Sequence, residues 1–150
     1  MNLKAIDING NSVHIKDANR KEKYFCPVCG APMSARIFGT KRCHHFAHFP
    51  GKRCTDSWHY EPMSEWHTSW QNHFETKYQE VYLHNGIEHH RADICTPKFV
   101  IEFQHSPISN EDFNKRNAFY TSCRDSVLWI FDMKQSVSVN NDDTFSWKKG

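Results

Sequence analysis

No stretch of this 150-residue chain approaches the roughly 20 consecutive apolar residues that cross a bilayer, which excludes a membrane-spanning helix. No basic-then-apolar leader opens it, so the expected location is the cytoplasm rather than the secreted fraction. Internal repeats and low-complexity tracts are missing too, which excludes stacked-repeat architectures. What the chain does have is aromatic bulk. Phe, Trp and Tyr make up 14% within 38% hydrophobic residues, too much for a chain disordered throughout. The length fits one domain, or a core domain with a small appendage.

Net charge is only +2, but it is unevenly placed. Residues 1–60 hold ten Lys/Arg against four Asp/Glu, whereas residues 61–150 hold nine against thirteen. A basic front half suits a polyanionic partner, and an acidic back half suits metal ions. Six cysteines and eleven histidines sharpen this picture. An even cysteine count fits disulfides in a secreted protein. Without a leader, and with Cys26 and Cys29 in a C-x-x-C spacing, zinc is the better reading. Pro27 fixes a turn there, and Gly30 lets backbone amides approach the thiolates. A second ligand group lies in residues 43–54. His45 and His48, three apart, are expected to share one face of a helical turn, and Cys43 and Cys54 compete for the same metal. Cys26 and Cys29 form one pair; the other ligands of a four-coordinate structural zinc come from His45, His48 and Cys54.

The order of elements follows from periodicity and turn chemistry. Ile6 and Ile8, then Asn9-Gly10, then Val13 and Ile15 predict a β-hairpin. Residues 61–82 predict one helix, capped by Ser64 after Pro62, with Trp66, Trp70, Phe74 and Tyr78 recurring every four residues and Val81 continuing the stripe. Residues 87–95 predict one or two strands, residues 96–98 a turn and residues 99–104 a further strand. Ser109, with Asp112 three residues on, caps a helix running to about Tyr120. Residues 126–133 form a continuous apolar run that predicts a buried strand. The expected division is residues 1–60, a hairpin and zinc-binding module, and residues 61–150, an α/β (α+β) core of αβββαβ order.

Side chains alternate along a strand. Asp93 therefore points with Arg91 and Cys95, and Glu102 points with Gln104. Adjacent strands can bring Asp93 and Glu102 onto one face, where two carboxylates repel unless a cation lies between them. Mg2+ or Mn2+ suits such oxygen ligands, filled out by water and phosphate. An ion held there polarises a phosphodiester and stabilises charge on the leaving oxygen. Gln104, on the same face as Glu102, can hold an attacking water through its amide.

With these motifs in order, the chain resembles the CoiA-like competence nuclease family within the PD-(D/E)xK nuclease superfamily. The matching segments are residues 24–30, residues 45–48 with the later Cys54, the helix start at Glu65 and His67, residues 90–94, residues 100–109, the pair Arg116 and Tyr120, and residues 127–132. The resemblance implies a metal-dependent endodeoxyribonuclease serving DNA uptake, recombination or mobile elements. It implies that Asp93 and Glu102 bind the catalytic metal and that Glu65 adds a further carboxylate. Arg116 and Tyr120, one turn apart, either reach phosphate or form the polar edge of a packed helix. Gln104 stands where most of the superfamily carries Lys, so no ammonium is available at that position.

The two halves combine into one expectation. A zinc module grips the DNA backbone through Lys41, Arg42, Lys52 and Arg53, with Arg36 nearby, and an acidic sheet face cuts. Tyr24, Phe46 and Phe49 are either stacking platforms for bases or core of the module. A zinc-containing nucleic-acid-binding protein on a catalytically weak or inactive nuclease fold is the alternative, and a protein-interaction module is the third. A homodimer is compatible with the sequence.

Overall fold

Asp7 starts the fold by closing its first hairpin. The computed structural model describes residues 2–38, 44–51, 54, 58 and 64–133, with the backbones of Val137–Val139 and Phe145–Trp147. The Asp7 carboxylate accepts the amides of Asn9 and Asn11, both at 2.8 Å, and Gly10 turns the chain at φ +82°. This joins β1 (Lys4–Ile6) to β2 (Ser12–His14). An antiparallel sheet of order β2-β1-β3-β4-β5 then builds up through β3 (Tyr24–Phe25), β4 (Pro32–Arg36) and β5 (His45–His48). Leu3, Ala5, Ile15, Tyr24, Cys26, Met33 and Phe46 form its core. Tyr24 and Phe46 are therefore core residues rather than stacking platforms, while Phe49 is exposed.

Ser64 caps α1 (Glu65–Gln71), its hydroxyl accepting the His67 amide. The helix expected over residues 61–82 stops at Gln71. A 3-10 turn follows at Thr76–Tyr78, and Gln79–His84 form the strand β6. Gln79 explains the break: its side-chain amide donates to the carbonyls of Gln71 and Phe74, at 2.8 and 2.7 Å. It satisfies acceptors that a continuing helix would have used. The aromatic stripe still marks the core, because Trp66, Phe74 and Tyr78 all pack on Ile94, Ile101 and Phe103.

β7 (His89–Cys95), β8 (Phe99–Gln104), α2 (Asn110–Cys123) and β9 (Ser126–Phe131) complete this part, in a sheet of order β6-β7-β8-β9. β6-β7-β8 are antiparallel and β9 lies parallel to β8. Ser109 caps α2 through the Asp112 amide, as expected, and the helix runs three residues past Tyr120. α2 packs Phe119 and Tyr120 onto Leu83, Ala92, Cys95 and Val100, so the sheet is covered on both faces. β9 is not the fully buried strand expected. It lies at the sheet edge, with Leu128 and Phe131 exposed. A hairpin of β10 (Val137–Val139) and β11 (Phe145–Trp147) follows. Among the described residues, no helix is long and apolar enough to cross a membrane.

The two sheets are tied together through Glu80. Its carboxylate accepts the Leu3 amide at 3.0 Å and pairs with Arg91 at 2.8 Å, both side chains being buried. Arg91 also bonds the Asn2 side chain, and Lys4 donates to the Lys77 carbonyl at 3.1 Å. Glu80 holds φ +49°, a backbone conformation unfavourable for a side chain of this size.

Candidate active site and metal centre

The loop from β3 to β4 builds the first site. The Gly30 amide donates to the Cys26 carbonyl at 2.9 Å and the Cys26 amide to the Ala31 carbonyl at 2.8 Å, with Gly30 at φ +67°. This tight turn brings Cys26 and Cys29 together. β5 delivers His48, and Cys54 closes the group, so that all four ligand atoms lie within 4.8 Å of one another. The Cys26 and Cys54 sulfurs are 3.8 Å apart, and Cys29 Sγ is 3.3 Å from His48 Nε2. Two thiolates at 2.3 Å from a tetrahedral zinc lie about 3.8 Å apart, so the donor set and its spacing fit that ion. The group can hold a metal such as zinc. Burial pushes the Cys26 thiol up to about 12, with the neighbouring Cys54 adding to it; the amides of Cys29 and Val28 pull the other way. Burial likewise lowers His48, leaving it neutral and able to donate its lone pair.

His45 is the candidate left outside this group. The expected helical turn is a strand, on which residues three apart point to opposite faces. Cys43, like Lys41, Arg42, Lys52, Arg53 and Pro62, lies outside the described residues. No disulfide joins the described cysteines.

The second site lies where β7 and β8 part. Their ladder pairs Cys95 with Val100 and Ile94 with Ile101, and continuing that register sets Asp93 opposite Glu102. There side chains replace the ladder. The Asp93 amide donates to Glu102 Oε1 at 3.0 Å, and the Phe103 amide donates to Asp93 Oδ2 at 2.8 Å. Both residues are buried. Burial raises Glu102 well above the ordinary carboxyl range, and the Asp93 charge adds to this. The Asp93 amide, the Tyr120 hydroxyl and the Arg116 guanidinium oppose it more weakly. A cation between the two carboxylates would relieve both burial and repulsion, so their chemistry suits one. Among the described residues, the group of three or more ligand atoms within 4.8 Å of one another is the Cys3His group.

The remaining candidates are placed unevenly. Gln104 donates its amide to the Ser106 carbonyl at 2.8 Å, which ties it to its own loop. Tyr120 is fully buried and donates its hydroxyl to the Arg91 carbonyl at 3.0 Å, which makes it a core residue rather than an exposed phosphate contact. Arg116 is half-buried, its guanidinium 5.2 Å above the Trp58 ring. Glu65 is exposed at the start of α1. His67 is the α1 side chain that meets Asp93, with Nε2 3.1 Å from Oδ1. Residues two apart on a helix point about 200° apart, so only one of Glu65 and His67 faces the sheet, and the sequence alone does not say which.

Two family models match the chain. The nuclease-like domain of competence protein CoiA matches residues 61–149, and the N-terminal domain of competence protein CoiA matches residues 9–57. No curated protein and no solved structure matches it. A short N-terminal sheet bearing a Cys3His group, followed by a nuclease-like domain with an acidic pair at a strand split, places this chain in the CoiA competence protein family.

Proposed function

We propose that the chain is a divalent-metal-dependent endodeoxyribonuclease of competence or related DNA processing, with Asp93 and Glu102 as the residues that hold the catalytic Mg2+ or Mn2+. The reading is carried by those two carboxylates, buried and opposite one another where β7 and β8 separate, inside a nuclease-like domain. The order α1-β6-β7-β8-α2-β9 supports it, since it agrees with the αβββαβ order expected of a PD-(D/E)xK core. A dication held by Asp93 and Glu102 would supply positive charge to a phosphodiester at the site.

Each residue of the chain then has a definable task. Asp93 uses Oδ2 to hold the Phe103 amide, which fixes the carboxylate, so that Oδ1 would be the oxygen to hold the ion. Glu102 is held by the Asp93 amide, and a cation there would favour the ionised form that burial opposes. Arg116, whose charge acts on Glu102, is the α2 side chain assigned to phosphate in this reading. The Cys3His group holds a structural zinc, and Lys41, Arg42, Lys52 and Arg53 contact the DNA backbone without reading sequence. Reduced thiols of this kind suit the cytoplasm.

A second reading, a nucleic-acid-binding protein that does not cut, is favoured by Gln104. It is neutral, and its amide is committed to Ser106 rather than to a nucleophile. Incubating zinc-loaded protein with single- and double-stranded DNA, with and without added Mg2+ or Mn2+, separates the two. Cation-dependent cleavage supports the nuclease; binding without cleavage under every condition supports the alternative.

A further inference from the structure

His67 is held more tightly than a surface histidine needs to be. The Ser64 cap fixes its amide, and its ring stands edge-on to Phe103 with centroids 5.6 Å apart. Its Nε2 is sealed from solvent and 3.1 Å from Asp93 Oδ1, yet the two do not form a hydrogen bond. A buried ring nitrogen beside a carboxylate oxygen, with no N–H aimed between them, is unfavourable unless something else satisfies both. Two ligands about 2.1 Å from one octahedral ion, at right angles, lie about 3.0 Å apart. The observed separation, within the range of an ordinary ion pair, also matches two atoms sharing one coordination sphere. Neither neighbour competes for the position. Asp93 Oδ2 is occupied by the Phe103 amide, and Gln104 is turned to Ser106.

We propose that His67 Nε2 is a nitrogen ligand of the ion held by Asp93, so that the site prefers a first-row transition dication to Mg2+. This rests on the nuclease reading of the Asp93 site. Imidazole favours transition dications, whereas Mg2+ keeps oxygen ligands and gives up water reluctantly. The residue arrives from α1 two positions after Glu65, in the place where a helix-borne carboxylate was expected.

The test uses zinc-loaded, full-length protein with one equivalent of Mn2+ as the probe. Pulsed EPR should show a directly coordinated nitrogen, and His67→Gln should abolish that coupling. Mn2+ affinity should fall by roughly 10- to 100-fold in His67→Gln, with Mg2+ affinity changing much less. Asp93→Ala should remove the bound Mn2+ altogether. Bound Mn2+ with no nitrogen coupling in the wild type, or coupling that persists in His67→Gln, would overturn the inference, and the wild-type spectrum decides this even if a variant folds poorly. Nitrogen coupling in a protein that cuts no DNA would keep the inference and overturn the nuclease. Cleavage without coupling would do the reverse.

Discussion

Asp93 and Glu102 hold each other's strands: the Asp93 amide donates to the Glu102 carboxylate, and the Asp93 carboxylate accepts the amide of Phe103, the residue after Glu102. The exchange fixes both carboxyl groups in a buried place, where burial and the Asp93 charge raise Glu102 well above the ordinary carboxyl range. Its consequence is a dependence on pH. A carboxyl whose folded value is raised stabilises the fold below its ordinary value of 4.5 and loses that contribution as pH rises through the raised value. The zinc-loaded protein without added Mg2+ or Mn2+ should therefore lose stability as pH rises across that window. Glu102→Gln keeps the acceptor and removes the charge. It should flatten the slope and raise the melting temperature at neutral pH, by about 2–4 °C per kcal/mol recovered. Thermal melts of both proteins from pH 4 to 8 check this; parallel curves would place Glu102 in an ordinary environment.

Zinc content should follow the Cys3His group. Cys54→Ala should drop tightly held zinc from about one per chain toward none and destabilise the N-terminal sheet, because metal binding and folding are linked there. His45→Ala should keep its zinc. Elemental analysis of the two variants decides it, and loss of zinc from His45→Ala would return that residue to the ligand set.

Removing one member of the buried Glu80–Arg91 pair leaves the other charged in the core. Arg91→Met should therefore cost about 3–5 kcal/mol, far more than loss of an exposed pair. Since Glu80 also holds the Leu3 amide, the loss should loosen the contact between the two sheets. Urea unfolding of this variant, compared with the exposed Lys77→Met, whose side chain pairs with Glu75, gives the contrast. Equal small effects would mean that the tie contributes little.

Neutralising Lys41, Arg42, Lys52 and Arg53 together should weaken DNA binding for all sequences alike. The slope of log affinity against log salt should shrink by about 3–4 if each meets one phosphate. Fluorescence anisotropy across a salt series measures both. An unchanged slope would make the basic front half a solvated surface.

The Cys3His group and the acidic pair are legible in the sequence because their chemistry is local: a C-x-x-C turn, a capping serine and alternation along residues 89–104 each fix geometry within a few positions. The features that are not legible depend on distant partners. The stripe from Trp66 to Tyr78 has helical spacing, but Gln79 ends the helix by bonding carbonyls up to eight residues back, and pairing with β7 makes residues 79–84 a strand. His45 and His48 have the spacing of one helical face, but pairing with β4 sets them on a strand. His67 does not stand out beside Glu65, because which of two opposite faces meets the sheet is decided by packing on Phe103, not by residue type. The apolar run of β9 predicts its extended conformation but not its position at the sheet edge, which only the strand order decides.

Cleavage by wild type and by Asp93→Ala, purified side by side, tests the central claim most directly. With single- and double-stranded DNA and either Mg2+ or Mn2+, the wild type should cut only when the cation is present. Asp93→Ala should lose roughly 10²–10³-fold or more of that rate while binding DNA at least as tightly. Gln104→Ala should lose much less, since its amide holds Ser106 and carries no charge. Equal metal-stimulated cleavage by wild type and Asp93→Ala would contradict the account and take the acidic pair out of catalysis.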